Sequence, residues 1–182
     1  MEMKPITLCG VPALAWGKDS DRRILAVHGM MSHKADEPIR LLAEAAEKQG
    51  IQTVSIDLPG HGDRKGEMAL CIAQHCVPEL HAMLESLLAE SREVGLFGVS
   101  LGACFVREHR PDSWTVPTAV LIGQQDELEP PAVTEAFCKA HGCGLEQVPG
   151  AGHWLHTPEE LAVLRSWLEQ NLSGCGKPEN RI

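Results

Sequence analysis

The chain lacks a long apolar run, an excess of positive charge and a regular cysteine pattern, and each absence removes a class of function. Its 182 residues carry 16 Lys and Arg against 25 Asp and Glu, a formal net charge of −9. With no basic stripe, nucleic acid and an anionic membrane are disfavoured as main partners. No apolar stretch approaches the roughly 20 residues of a membrane span, and Met1 to Val11 lacks the apolar core of a secretory leader. A cytoplasmic protein is the expectation. The seven cysteines (9, 71, 76, 104, 138, 143 and 175) are odd in number and never spaced Cys-x-x-Cys, so no disulfide framework is indicated. Repeats and low-complexity segments are missing too.

What is present is alternation. Apolar runs of strand length alternate with helix-period segments, the signature of an α/β fold with a mostly parallel sheet. Ile6 to Leu8 and Val11 to Trp16, joined at Gly10, read as an opening hairpin. Ile24 to Val27 and Ile51 to Ile56 read as strands, separated by a helix with Ile39, Leu42, Ala43 and Ala46 on one face and a stop at Gly50. Leu80, Met83, Leu84, Leu87 and Leu88 predict a helix started by Pro78. Beyond it come the strand at Val94 to Phe97, a short helix, a strand at Pro117 to Gly123 and a helix around Val133 to Phe137. A strand at Leu145 to Val148 and a final helix with Leu161, Leu164 and Leu168 complete the series. The length suits one domain over 1–182, with 174–182 as a frayed tail.

Three places carry chemistry. Gly98-Val99-Ser100-Leu101-Gly102 follows an apolar strand and reads as a sharp strand-to-helix elbow that presents Ser100 above a helix N-terminus, where N–H groups face developing negative charge. Asp126 follows the strand ending at Gly123 and sits in a loop closed by Pro130 and Pro131, a place suited to the carboxylate that orients a histidine. His153 lies on the loop Val148 to Gly152, ahead of a helix start at Thr157-Pro158-Glu159-Glu160 in which Thr157 caps and Glu160 closes a capping box. Glu127 and Glu129 compete with Asp126, and His156 with His153. Cys71, His75, Cys76 and His81 are close together, but their spacing matches no structural zinc pattern.

The order Ser100, Asp126, His153 is similar to that of the α/β-hydrolase superfamily, and the resemblance covers nearly the whole chain. His28-Gly29-Met30 resembles the strand-end loop of that superfamily which supplies a second oxyanion donor. Asp57-Leu58-Pro59-Gly60-His61-Gly62 resembles its Asp-x-Pro-Gly-His-Gly turn. The strings His28 to Lys34 and His61 to Arg64 are most similar to small bacterial members. The resemblance implies a three-layer α/β sandwich with a mostly parallel sheet of about six to seven strands. It also implies a serine enzyme, without a cofactor or metal, that cleaves a small-molecule ester, thioester or amide. Ser100, His153 and Asp126 would be its catalytic residues, and the backbone N–H groups of Met30 and Leu101 its oxyanion hole. His28 and His61 are read as structural, bonding the loops around the pocket. Trp154 either walls the acyl pocket or packs under its loop.

One departure stands out. Asp126 comes only 26 positions after Ser100, where the superfamily usually places a further strand, a helix and often a lid. Ala103-Cys104 looks like the seam, with Cys104 to His109 resembling the sequence that normally leads into the acid-bearing strand. A natural compact variant, a deliberate excision and an incomplete sequence would all read this way. The 17 residues from Leu101 to Pro117 still suffice for a right-handed crossover, which needs about a dozen. Loss of a strand and helix predicts an uncovered sheet flank and hence a homodimer. The competing function is a non-catalytic α/β-hydrolase-like binding protein whose triad has been pulled apart.

Overall fold

A computed structural model describes residues 1–108 and 116–173, and the tail expected at 174–182 lies outside them. The chain divides into two compact units, Met1–Asp112 and Ser113–Ile182.

The first unit opens with the expected hairpin, β1 (Met3–Leu8) against β2 (Val11–Trp16). Its two loop residues, Cys9 at φ +51° and Gly10 at φ +85°, are both left-handed, the backbone that lets a two-residue turn follow the twist of its strands. Then follow β3 (Arg22–Val27), α1 (Glu37–Lys48), β4 (Gln52–Ile56) and a 3₁₀ segment (Gly62–Leu70). The unit ends with α2 (Ala73–Glu90), β5 (Glu93–Gly98) and α3 (Leu101–Glu108). The strands form one mixed sheet in the order β1-β2-β4-β3-β5. The hairpin runs antiparallel onto β4, while β4, β3 and β5 are parallel, with Leu25 opposite both Val54 and Leu96.

Side-chain alternation divides this sheet into two faces. Leu25, Val27, Val54 and Ile56 enter one core with Cys76, Leu80, Met83 and Leu87 of α2 and Phe105 of α3. Helix α1 packs on β4 through a separate set of buried residues that includes Ile39, Leu42, Ala43 and Ala46, the face predicted from the sequence. Asp36 caps its first turn, and the chain leaves it through Gly50 at φ +67°. There the N–H groups of Gly50 and Ile51 bond back to Glu47 and Ala46. Helix α2 begins five residues before the start that Pro78 suggested. Pro78, sixth residue of the helix, forfeits the backbone bond to Gln74, a loss set against the burial of Cys76 two residues earlier. Leu88, placed on the buried stripe by periodicity, is exposed instead.

In the second unit β6 (Ala119–Gly123) and β7 (Gly144–Val148) pair in parallel, with Gly123 opposite Val148. They are connected by α4 (Pro131–His141) and followed by α5 (Pro158–Ser173). The capping box of α5 forms as expected: the Glu160 N–H donates to the Thr157 hydroxyl at 3.2 Å and the Thr157 N–H to the Glu160 carboxylate at 2.9 Å. Among the described residues there are thus seven strands, arranged as a five-stranded and a two-stranded ladder where one continuous sheet was expected. Among the described residues, no helix is long and apolar enough to cross a membrane.

Candidate active site

The elbow is a close approach of three backbones. An added Cβ on Gly98 would lie 2.6 Å from the Ala103 Cα, and one on Gly102 would lie 2.5 Å from the carbonyl oxygens of Val27 and His28. Neither position can hold a side chain unless α3 moves off the sheet. The Val99 N–H donates to Val27 at 3.0 Å, and the Gly102 N–H closes the turn on Val99 at 2.9 Å. Between them Ser100 has φ +51°, a left-handed backbone that costs a non-glycine residue roughly 1–2 kcal/mol. Ser100 is therefore held in a strained turn that aims its side chain, with Leu101 starting the helix behind it. The Leu101 N–H is one of the first-turn donors that a helix leaves without an internal carbonyl. Gly29 lies against the serine, since a Cβ on it would be 3.2 Å from the Ser100 Cβ, and this places Met30 on the loop beside the elbow.

The seam expected at Ala103-Cys104 leaves no break. Helix α3 runs through it, and Phe105, beyond the seam, is buried in the core of the first unit.

In the second unit the structure brings Asp126 and His153 together. Gly123 makes this possible: a Cβ there would stand 2.1 Å from the Gly152 carbonyl, so the acid loop and the histidine loop touch backbone to backbone. The Gln124 and Gln125 N–H groups then donate to Val148 and Ala151 at 3.0 and 2.8 Å. The His153 Nδ1 lies 2.9 Å from Asp126 Oδ2 and 3.0 Å from Oδ1. Both side chains are largely buried, at 13% and 6% exposure. The Leu128 and Glu129 N–H groups also donate to Asp126 Oδ1, each at 2.9 Å. Burial pushes the Asp126 carboxyl up, but the Glu129 N–H, the His153 ring and the Leu128 N–H outweigh it and hold the group below the ordinary carboxylate range.

The rivals have other partners. Glu127 accepts the backbone N–H of His153 at 3.1 Å and so fixes the main chain of the residue whose ring Asp126 holds. Its only sequence signal is adjacency to Asp126. His156 turns its Nδ1 to the Trp154 carbonyl at 2.7 Å. Trp154 is half exposed and stands edge-on to His153, 5.9 Å between ring centres. His28 and His61 bond loops, as expected. In each, Nδ1 donates to a carbonyl of its own loop and Nε2 accepts a backbone N–H from the other loop. Burial lowers the pKa of His28, consistent with the neutral ring this requires. Among the described residues, no group of three or more His, Cys, Asp or Glu could hold a metal ion. Cys76 is a poor candidate ligand in any case, its thiol pushed up to about 12 by burial.

No protein-family model matches the chain, and no curated protein matches it either. Solved structures do. An α/β serine hydrolase homologue from Coxiella burnetii is 19% identical, with TM-score 0.72, over 94% of this chain and 97% of that one. The protein Est1E from Butyrivibrio proteoclasticus is 15% identical, with TM-score 0.73, over 95% and 98%. A serine hydrolase without a lid from Xanthomonas campestris is 18% identical, with TM-score 0.72, over 94% of each chain. At such identities the likeness is one of architecture, and the architecture it establishes is that of the α/β-hydrolases.

Proposed function

We propose that the protein is a serine hydrolase that cleaves a small carboxylic ester or thioester through an acyl-enzyme, with Ser100, His153 and Asp126 as its triad and 1–182 as its single domain. The observation that carries the reading is the 2.9 Å hydrogen bond between Asp126 and His153 Nδ1. It leaves Nε2 as the basic atom of the ring, the role a general base needs. The strained elbow at Ser100 and the likeness to solved serine hydrolases and esterases add support.

In this reading the Ser100 proton passes to His153 Nε2 as Oγ bonds to the acyl carbon. The oxyanion so formed accepts N–H donation from Leu101 and Met30, each donor lowering the barrier by roughly 3 kcal/mol. His153 then protonates the leaving alkoxide or thiolate as its bond to the acyl carbon breaks. A water molecule, deprotonated by the same nitrogen, releases the acid and restores Ser100. Only a short connection links α3 to β6, too little to build a lid, which favours an open site and small substrates.

Short-chain p-nitrophenyl esters and a fluorophosphonate probe test the reading. Turnover should fall by about 10⁶ in Ser100→Ala and in His153→Ala, and labelling should be confined to Ser100. Equal labelling of wild type and Ser100→Ala would overturn it.

A further inference from the structure

The two buried histidines of the first unit brace each other's loops in a reciprocal arrangement that the hydrolytic chemistry does not by itself require. His28 closes β3 and His61 lies in the turn after β4, at 1% and 4% exposure, with ring centres 5.2 Å apart. The His28 Nδ1 faces the Gly29 carbonyl at 2.7 Å, and its Nε2 receives the Leu58 N–H from the β4 loop at 3.0 Å. The His61 Nδ1 faces the Pro59 carbonyl at 2.8 Å, and its Nε2 receives the Met31 N–H from the β3 loop at 3.0 Å. Since a carbonyl can only accept, each Nδ1 carries the proton and each Nε2 offers a lone pair.

The turn that carries His61 is itself anchored. Gly62 sits over the Asp57 carboxylate, where a Cβ would come within 2.2 Å. That carboxylate, fully buried, accepts the N–H groups of Asp63 at 3.0 Å and Lys34 at 2.9 Å and pairs with the Lys34 ammonium. His61 is thus a fixed acceptor. What it fixes is Met31, a non-glycine residue at φ +58° that an unbraced loop would tend to relax. Anchoring the Met31 N–H orients the peptide that follows Met30 and commits this donor to His61. Met30 is left to present its own N–H, which meets no acceptor among the described residues.

We propose that His61, in its neutral Nδ1–H form, is a positioning residue that sets the Met30 N–H as oxyanion donor by holding Met31. The inference rests on the hydrolase reading above. It separates His61 from an ordinary packing residue, because loss of its acceptor atom should weaken transition-state binding rather than substrate binding.

The test compares wild type, His61→Ala and His61→Gln, the last placing an amide oxygen near the position of Nε2, with Ser100→Ala alongside. For a p-nitrophenyl ester, His61→Ala should lose about 10²-fold in kcat with KM little changed. Affinity for a trifluoromethyl ketone, which forms a tetrahedral adduct, should fall in step, and His61→Gln should recover most of both. In wild type, ¹⁵N resonances should report the Nδ1–H tautomer at His61. A folded His61→Ala enzyme with wild-type kcat, a loss confined to KM, or a protonated Nε2 would overturn the proposal, the last even if His61→Ala fails to fold. Wild type without Ser100-dependent turnover would overturn the hydrolase reading and this one with it. Intact Ser100-dependent turnover that His61→Ala leaves unchanged would overturn this one alone.

Discussion

Asp126 and Glu127 divide the control of His153 between them, one holding the ring and the other the main chain. This division makes their substitutions distinguishable. Asp126→Asn keeps the shape, but with its amide oxygen retained by the Leu128 and Glu129 N–H groups it turns an NH2 toward Nδ1 and favours the wrong tautomer, so kcat on an activated ester should fall about 10⁴-fold while thermal stability changes little. Because its environment holds the Asp126 carboxyl below the ordinary range, its protonation should not shape the activity profile above about pH 4. Glu127→Ala leaves the His153 N–H without this acceptor at a partly solvated site. It should cost about 1 kcal/mol of stability and about tenfold in kcat, which Glu127→Gln restores through its amide oxygen. Pre-steady-state ester hydrolysis and thermal melts on the four proteins check both expectations. A Glu127→Ala enzyme slower than Asp126→Asn would reverse the assignment of acid and anchor.

At the scale of elements, the elbow depends on two missing side chains. Gly102→Ala drives a Cβ to 2.5 Å from two carbonyl oxygens of the β3 end. Backbone cannot yield there as a flexible side chain would, so α3 must shift outward. The expected cost is about 1–3 kcal/mol, with fluorophosphonate labelling slowed at least tenfold; unchanged melting and labelling would show that the helix shifts freely. What made this element legible beforehand is that its signals are local: glycines flanking a serine at the end of an apolar run. The α5 capping box and the stop of α1 at Gly50 were legible for the same reason. Other features depend on tertiary packing. Burial of Cys76 extends α2 back past Pro78, and α3 runs through Ala103-Cys104 because Phe105 fills the core. Neither the Glu127 bond to the His153 main chain nor the reciprocal histidines follow from spacing, since each joins a side chain to a backbone N–H on a different loop.

Across the whole molecule, acid should be the destabilising direction, because both units rely on carboxylates held in their charged form. Burial raises the Asp57 carboxyl, yet the Asp63 N–H and the Lys34 ammonium and N–H bring it below its ordinary value. Asp126 is likewise depressed, and so is Glu160, by the N–H groups of Thr157 and His156. A carboxylate with a folded pKa below its unfolded one contributes stability that is complete above the unfolded value, about 4. That stability is lost as pH falls through the folded value. The urea midpoint should therefore stay nearly level from pH 8 to 5 and decline below about pH 4. Asp57→Asn isolates one such contribution, since it strips the fully buried anion from Lys34 and should cost about 3 kcal/mol at pH 7. The gap between variant and wild type should then close as the medium is acidified below about pH 4, where wild type loses the same charge by protonation. A gap that stayed constant down to pH 2 would mean that Asp57 braces the turn at Gly62 by shape and not by charge.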